Sequence, residues 1–173
     1  MTVTVRPYRP ADYAAFRALR DRTPPAGSEP SNPEPWSEQL DDIEGNFVAF
    51  WVAIDDAGGG EEVVGSAGLT EAGAVDFPPP APDFVEETDR ICRLHEMRAA
   101  PERQRQGIGA LLLDEVLAWA RAQRYEAMYF DTTAQQIAAI EFYRAAGFEE
   151  RGRSMYLGRW ELVWFWLTLD EGR

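Results

Sequence analysis

The segment Pro101-Glu102-Arg103-Gln104-Arg105-Gln106-Gly107-Ile108-Gly109-Ala110 constrains this chain more than any other. It follows a run, Ile91 to Ala99, that reads as a strand. It opens a stretch from Gly107 to Gln123 in which Ile108, Leu112, Val116 and Trp119 recur at helical spacing. A strand feeding a glycine turn and then a helix aims several unpaired backbone N–H groups at one point, and the helix dipole adds partial positive charge there. Glycine at 107 and 109 removes the Cβ that would keep a ligand from the backbone. Such a turn is a cradle for a phosphate or pyrophosphate.

Several phosphate-binding designs are excluded by what is missing. The chain has no lysine, so all 17 basic side chains are arginine. A Walker-type loop needs its lysine on the β/γ-phosphates, and a pyridoxal-phosphate site needs one for its Schiff base. A Rossmann turn of G-x-G-x-x-G form would need glycine at position 112, where Leu112 stands. The net charge of −13 argues against nucleic acid or an anionic membrane as partner and suits a neutral or cationic small molecule, although general surface acidity explains most of it.

One cysteine, Cys92, and one histidine, His95, rule out an intrachain disulfide and a closed Cys/His zinc site. Three residues apart on a strand, they point to opposite faces and cannot form a nucleophile–base pair; both read as packing or sheet surface. No spacing of carboxylates suggests a metal. The N-terminus carries no apolar signal segment, and the longest strongly apolar run, Leu162 to Leu167, is too short to cross a bilayer. A cytoplasmic protein without a membrane partner is expected.

The 173 residues suffice for one substantial core, and no linker or internal repeat divides them, so residues 1–173 read as a single α+β or α/β domain. Thr2 to Arg6 reads as a strand, Pro10-Ala11-Asp12 as the start of a helix carrying Tyr13, Phe16, Leu19 and Arg20, and Arg22 to Pro35 as a loop. A short helix around Trp36 to Ile43 leads to strands Phe47 to Ile54 and Val63 to Leu69, paired as a hairpin across Asp55 to Gly60. Asp76 to Asp89 reads as a proline-rich loop over the surface. Beyond the central strand and helix come a strand at Ala127 to Asp131, a helix from Gln135 to Ala146 ended by Gly147, and strands Phe148 to Tyr156 and Glu161 to Leu169. The last is apolar on both alternating faces, as an interior strand or a dimer-forming face would be.

The spacing Gln104-x-x-Gly107-x-Gly109 resembles the Q/R-x-x-G-x-G/A signature of the GNAT superfamily of N-acetyltransferases. A second segment, Ala139-Ile140-Glu141-Phe142-Tyr143-Arg144-Ala145-Ala146-Gly147-Phe148, is similar to that family's A-I-x-x-Y-x-x-x-G-F element, in the expected order downstream. Weaker likeness reaches Arg6-Pro7-Tyr8-Arg9-Pro10-Ala11-Asp12 and Val63-Val64-Gly65-Ser66-Ala67. The resemblance implies a mixed, mostly antiparallel sheet with a splayed parallel strand pair and about four flanking helices. It also implies acetyl-CoA as co-substrate and no metal. The backbone of Gln104, Arg105, Gln106, Gly107, Ile108, Gly109 and Ala110 would hold the pyrophosphate, with Arg103 and Arg105 as nearby charge. Met97, Arg98 and Ala99 would pair with the pantetheine arm, and Gln136, Ala139, Phe142 and Tyr143 would flank the cofactor. Asparagine is frequent in the family where Gln136 stands, and the glutamate base of some members is replaced here by Arg93.

Acyl transfer to an amine needs a neutral nucleophile, because a free alkylamine with a pKa of roughly 10.4 is mostly protonated at neutral pH. It also needs a stabilised oxyanion and a proton for the leaving thiolate. Tyr143 is the expected proton donor and the N–H of Met97 the oxyanion donor. Asp131 is the first candidate base, with a helix-cap or turn role as its equal alternative, and Glu96 the second, against a solvated strand face. The acceptor is read as a small-molecule amine or a peptide N-terminus. Acidic residues in the flanking loops (Glu34, Glu38, Asp41, Asp42, Asp83, Glu86, Glu87 and Asp89) would favour a cationic one. Two other readings stand beside the enzyme: an acyl-CoA-binding sensor or scaffold without turnover, and an interaction protein forming a homodimer through its tryptophan-rich last strand.

Overall fold

A computed structural model describes residues 2–24, 38–73, 77–85 and 90–169. The strands are β1 (Val3–Pro7), β2 (Ala49–Asp55), β3 (Glu62–Glu71), β4 (Ile91–Ala99), β5 (Ala127–Thr133), β6 (Glu149–Tyr156) and β7 (Trp160–Thr168). They form one sheet in the order β1-β2-β3-β4-β5-β7-β6, antiparallel throughout except for the β4–β5 pair. The helices are α1 (Tyr13–Arg22), α2 (Ile43–Asn46), α3 (Ile108–Ala122) and α4 (Ile137–Ala145). Among the described residues, the mixed sheet, its parallel pair and four α-helices match the expected architecture.

Two consecutive side chains of β2 show how the layers are arranged. Phe50 meets Phe16 of α1 edge-on at 5.1 Å, while Trp51 meets Trp119 of α3 at 5.6 Å. Neighbouring strand residues point to opposite faces, so α1 and α3 cover opposite sides of the sheet. α4 shares the side of α3, since its Tyr143 packs on Phe130 and Phe165 within the same core as Ile108, Leu112 and Val116. Gly65 of β3 lets α3 sit this close: a Cβ there would stand 2.8 Å from Ile108 Cγ2 and 3.0 Å from the Arg98 carbonyl. β7 lies between β5 and β6 with Leu162, Val163, Trp164 and Phe165 all buried, which is the interior-strand reading of its apolar run.

The boundaries depart from expectation in three places. The second helix is a 3-10 turn, Glu38–Asp41, followed by one short α-turn capped by the Asp42 carboxylate on the Gly45 N–H; Trp36 lies outside the described residues. α4 begins two residues late, at Ile137, because Gln136 keeps non-helical dihedrals. In the proline-rich loop, the described part does not merely run over the surface. Phe77 is buried against Phe47 and His95, since an apolar ring gains more from the core than from water.

Candidate active site

The glycine turn and the helix after it form as their spacing predicts. After a 3-10 turn at Pro101–Arg103, Arg105 (φ 60°) and Gly107 (φ 85°) take left-handed conformations, and α3 starts at Ile108. A Cβ on Gly107 would find nothing within 4 Å, so the glycine is required by its backbone angle and faces open space that a ligand can occupy. The unpaired N–H groups of the first helical turn open onto that space. Arg105, Gln106 and Ala110 are exposed around it, Ile108 is buried in the core, and the Phe142 ring lies 3.6 Å from where a Cβ of Gly109 would stand. Arg103 is committed elsewhere. Its guanidinium binds the buried Asp55 carboxylate at 2.6 Å and so ties the turn to the end of β2.

Beside the cradle the sheet opens. β4 and β5 pair only at Ile91–Ala127, Cys92–Met128 and Arg93–Tyr129 and then diverge. A cavity of about 480 Å³ lies in the gap and is lined from both faces. On the α3–α4 face stand Leu94, Met97, Ala99, Gln104, Phe130, Gln136, Ala139 and Tyr143. The α1 face supplies Arg93, His95, Glu96, Arg98, Asp131, Thr133 and the Phe77–Pro79 segment. Of the expected site residues, nine line this cavity: Glu96, Met97, Arg98, Ala99, Gln104, Asp131, Gln136, Ala139 and Tyr143. The residues from Arg105 to Ala110 follow Gln104 in the chain and do not themselves line the cavity.

Tyr143 is buried among Phe130, Phe142, Phe148 and Phe165, and among the described residues its hydroxyl makes no hydrogen bond. Burial pushes the phenol above its ordinary range, so it holds its proton at neutral pH. Cys92 is fully buried in the same core; burial pushes its thiol up to about 12, and the thiol donates to the Ala127 carbonyl at 3.6 Å. It is a packing residue.

On the opposite face, sequence reasoning missed most of the chemistry. Arg93 is 4% exposed and sits over the Tyr129 and Trp164 rings. One of its terminal nitrogens donates to the carbonyls of Phe77 and Pro79, both at 2.8 Å, and the other donates to Asp131 Oδ1 at 2.7 Å. Asp131 thus neither caps a helix nor stands alone. Its Oδ1 is engaged, while among the described residues Oδ2 takes no hydrogen bond. His95 packs on Phe77 with ring centroids 4.0 Å apart, and its Nε2 lies 2.8 Å from Thr70 Oγ1. Burial, and secondarily the charge of Arg93, hold the imidazole well below its ordinary range, so the ring is neutral at pH 7. An arginine and a histidine two apart on one strand face were the available signal, because a charged side chain on an inward face needs partners.

Glu96 corrects an expectation. It is no solvated face: its side chain is 4% exposed and is held by Arg98 Nε at 2.8 Å and Arg20 Nε at 3.6 Å. Its backbone is left-handed (φ 51°), a conformation that costs a residue with a Cβ roughly 1–2 kcal/mol. The register between β3 and β4 shifts here, so that Ala67 opposes two residues, Glu96 and Met97, in a β-bulge.

Of the acidic residues expected to shape the acceptor groove, Glu34, Glu86, Glu87 and Asp89 lie outside the described residues. Glu38, Asp41, Asp42 and Asp83 do not line the cavity; Asp41 pairs with Arg17 instead. Among the described residues no group of His, Cys, Asp or Glu side chains is placed to hold a metal ion, and no helix is long and apolar enough to cross a membrane.

Comparison with known proteins converges on one group. The model of the acetyltransferase (GNAT) family matches residues 13–148. An aminoglycoside N(6')-acetyltransferase type 1 of Stenotrophomonas maltophilia is 31% identical over 155 residues, covering 88% of this chain and 90% of that protein. Human N-acetyltransferase 8 is 29% identical over 136 residues, covering 71% of this chain and 54% of that protein. The chain spans about half the length of the N-acetyltransferase 8 and 8B proteins that it matches. Among solved structures, a putative acetyltransferase from Salmonella typhimurium with its cofactor acetyl-CoA superposes with a TM-score of 0.73 at 20% identity, over 100% of this chain and 97% of that one. At that identity the likeness speaks for the fold.

Proposed function

The chain belongs to the acetyltransferase (GNAT) family, and from that premise we propose that it is an N-acetyltransferase moving an acetyl group from acetyl-CoA to a primary amine. The observation that carries the reading is the opening between β4 and β5, lined on one face by Gln104, three residues before Gly107, and on the other by the Arg93–Asp131 pair. The thioester supplies an activated acetyl group; everything else is asked of the chain's own residues. The α3 N-terminus and the left-handed turn before it suit a diphosphate, and the open space at Gly107 fits one. Met97 to Ala99, on the strand that has left β5, would hold the pantetheine arm, and the Met97 N–H would stabilise the oxyanion.

Tyr143 would give its proton to the departing thiolate, a role that a protonated phenol buried at the cavity wall can fill. Asp131 would take the ammonium proton of the acceptor through Oδ2, directly or across a water, while Arg93 holds Oδ1. The acceptor would come from the α1 face, between His95, Asp131 and the Phe77–Pro79 segment. The names of two relatives, an aminoglycoside N(6')-acetyltransferase and N-acetyltransferase 8, support an amine acceptor, and the first of them a small-molecule one.

An acetyl-CoA consumption assay across aminoglycosides, polyamines, amino acids and peptides tests the reading. Turnover with at least one amine is expected, and Asp131→Asn should lower kcat/KM for that acceptor by about 10²-fold. Coenzyme A binding without turnover on any amine would favour a sensor instead. Full activity of Asp131→Asn would remove that residue from the mechanism.

A further inference from the structure

Glu96 is a carboxylate at the edge of the cavity that the mechanism does not use, and its surroundings say what it is for. Its backbone is in the left-handed region, which a residue with a Cβ enters only when its neighbours hold it there. Three contacts do so. Ser66 Oγ donates to the Glu96 carbonyl at 2.8 Å, Arg98 Nε donates to Oε2 at 2.8 Å, and Arg20 Nε of α1 stands 3.6 Å from the same oxygen. Arg98 also donates to the backbone carbonyl of Thr23, just past the end of α1. Helix α1 and strand β4 are thus joined through one buried carboxylate and two guanidinium groups.

The bulge has a geometric consequence. Before it, Leu94 faces the main core; after it, Met97 and Ala99 do, an odd step that an unbroken strand would not allow. Without the bulge Met97 would face α1 and Arg98 the α3–α4 side. We propose that Glu96 is a positioning residue: with Arg20 and Arg98 it clamps the bulge that presents the Met97–Ala99 backbone to coenzyme A, and it carries no proton in the reaction. The inference rests on reading Met97 to Ala99 as the segment that holds coenzyme A.

The test is titration calorimetry of coenzyme A together with the pH profile of kcat/KM, on the wild type, Glu96→Gln, Glu96→Ala, Arg98→Met and the double variant Glu96→Ala/Arg98→Met. A clamp predicts about tenfold weaker coenzyme A binding in Glu96→Ala and in Arg98→Met, with the double variant no worse than either, because both break one unit. Glu96→Gln, which still accepts from Arg98, should keep kcat within about threefold of wild type and leave the pH profile unchanged. A kcat loss of about 10²-fold in Glu96→Gln with unaltered coenzyme A affinity would make Glu96 a base and overturn the proposal.

Unchanged affinity in all variants would overturn it equally. If Glu96→Ala fails to fold, Ser66→Ala loosens the bulge without stranding a charge and should weaken coenzyme A binding about threefold; no change there counts against the clamp. A wild type that binds no coenzyme A would instead sink the reading of the strand itself, and this inference with it.

Discussion

The two faces of the opening between β4 and β5 are built from different materials. On the α3–α4 face the chain offers backbone: a left-handed turn at Arg105 and Gly107, the first turn of α3, and the edge of β4 beyond Arg93. Most of it lies in one stretch, residues 97–110. On the α1 face the groups are side chains brought from distant places: Arg93 from β4, Asp131 from β5, Phe77 and Pro79 from a loop, and Trp164 from β7. On the reading proposed above, the first face would recognise a constant chemical group, a diphosphate and its arm, for which main-chain donors serve. The second holds charge in a largely dry setting, where each group depends on another. Local geometry therefore governs one face, and tertiary partnership the other.

The largest effect expected on the backbone face is that of Gly107→Glu. A left-handed residue with a Cβ and a negative charge facing the cradle should weaken coenzyme A binding roughly a thousandfold, read by calorimetry, with the fold retained. Retained affinity would mean that the cradle is not the diphosphate site, and the contrast between the faces would fail.

Arg93→Met probes the other material. It leaves the Asp131 carboxylate without its guanidinium and two loop carbonyls without a donor, so unfolding free energy should fall by about 3 kcal/mol in urea titration. Acceptor KM should rise while coenzyme A affinity holds. Equal loss of both affinities would show that the faces are mechanically one.

Tyr143→Phe sharpens the comparison from within the α3–α4 face, since it removes a proton and no packing. A fall in kcat of about 10²-fold with coenzyme A affinity unchanged is expected, and an unaltered kcat would leave that face with binding alone.

The smallest effect concerns His95. Its imidazole is held neutral in the folded protein, well below the roughly 6.5 of an unfolded chain. Below about pH 6.5 the unfolded state binds the extra proton and the folded state does not, so stability is lost as pH falls. His95→Gln should flatten the fall in stability between pH 7 and about pH 5, above the range in which carboxylates begin to titrate, read by urea titration at each pH. An unchanged slope would place the proton uptake elsewhere.

What could be read in the sequence follows the same division. The turn before α3, the helical spacing of Ile108, Leu112 and Val116, the glycine stop at Gly147 and the two-faced apolar run of β7 are local or periodic signals, and all appear in the structure. Arg103 looked like ligand charge because the turn is basic; only the fold brings Asp55 to it. Glu96 reads as solvated from the sequence because a carboxylate on a strand is most often exposed; its partners Ser66, Arg20 and Arg98 stand 30, 76 and two positions away, and only the fold brings them together. His95 reads as packing or sheet surface; it does pack on Phe47 and Phe77, and it also lines the cavity beside Arg93, which only the fold shows.

By itself the sequence determined the order of elements, the glycine turn before α3 and the family, because each depends on residues within a few turns of one another, where backbone preference and side-chain period act directly. Only the tertiary structure decided which charges neutralise which. Pairing Arg93 with Asp131 and Glu96 with Arg20 and Arg98 depends on strand order, register and one bulge. Those are settled by the free energy of the whole core, not by any local stretch of chain.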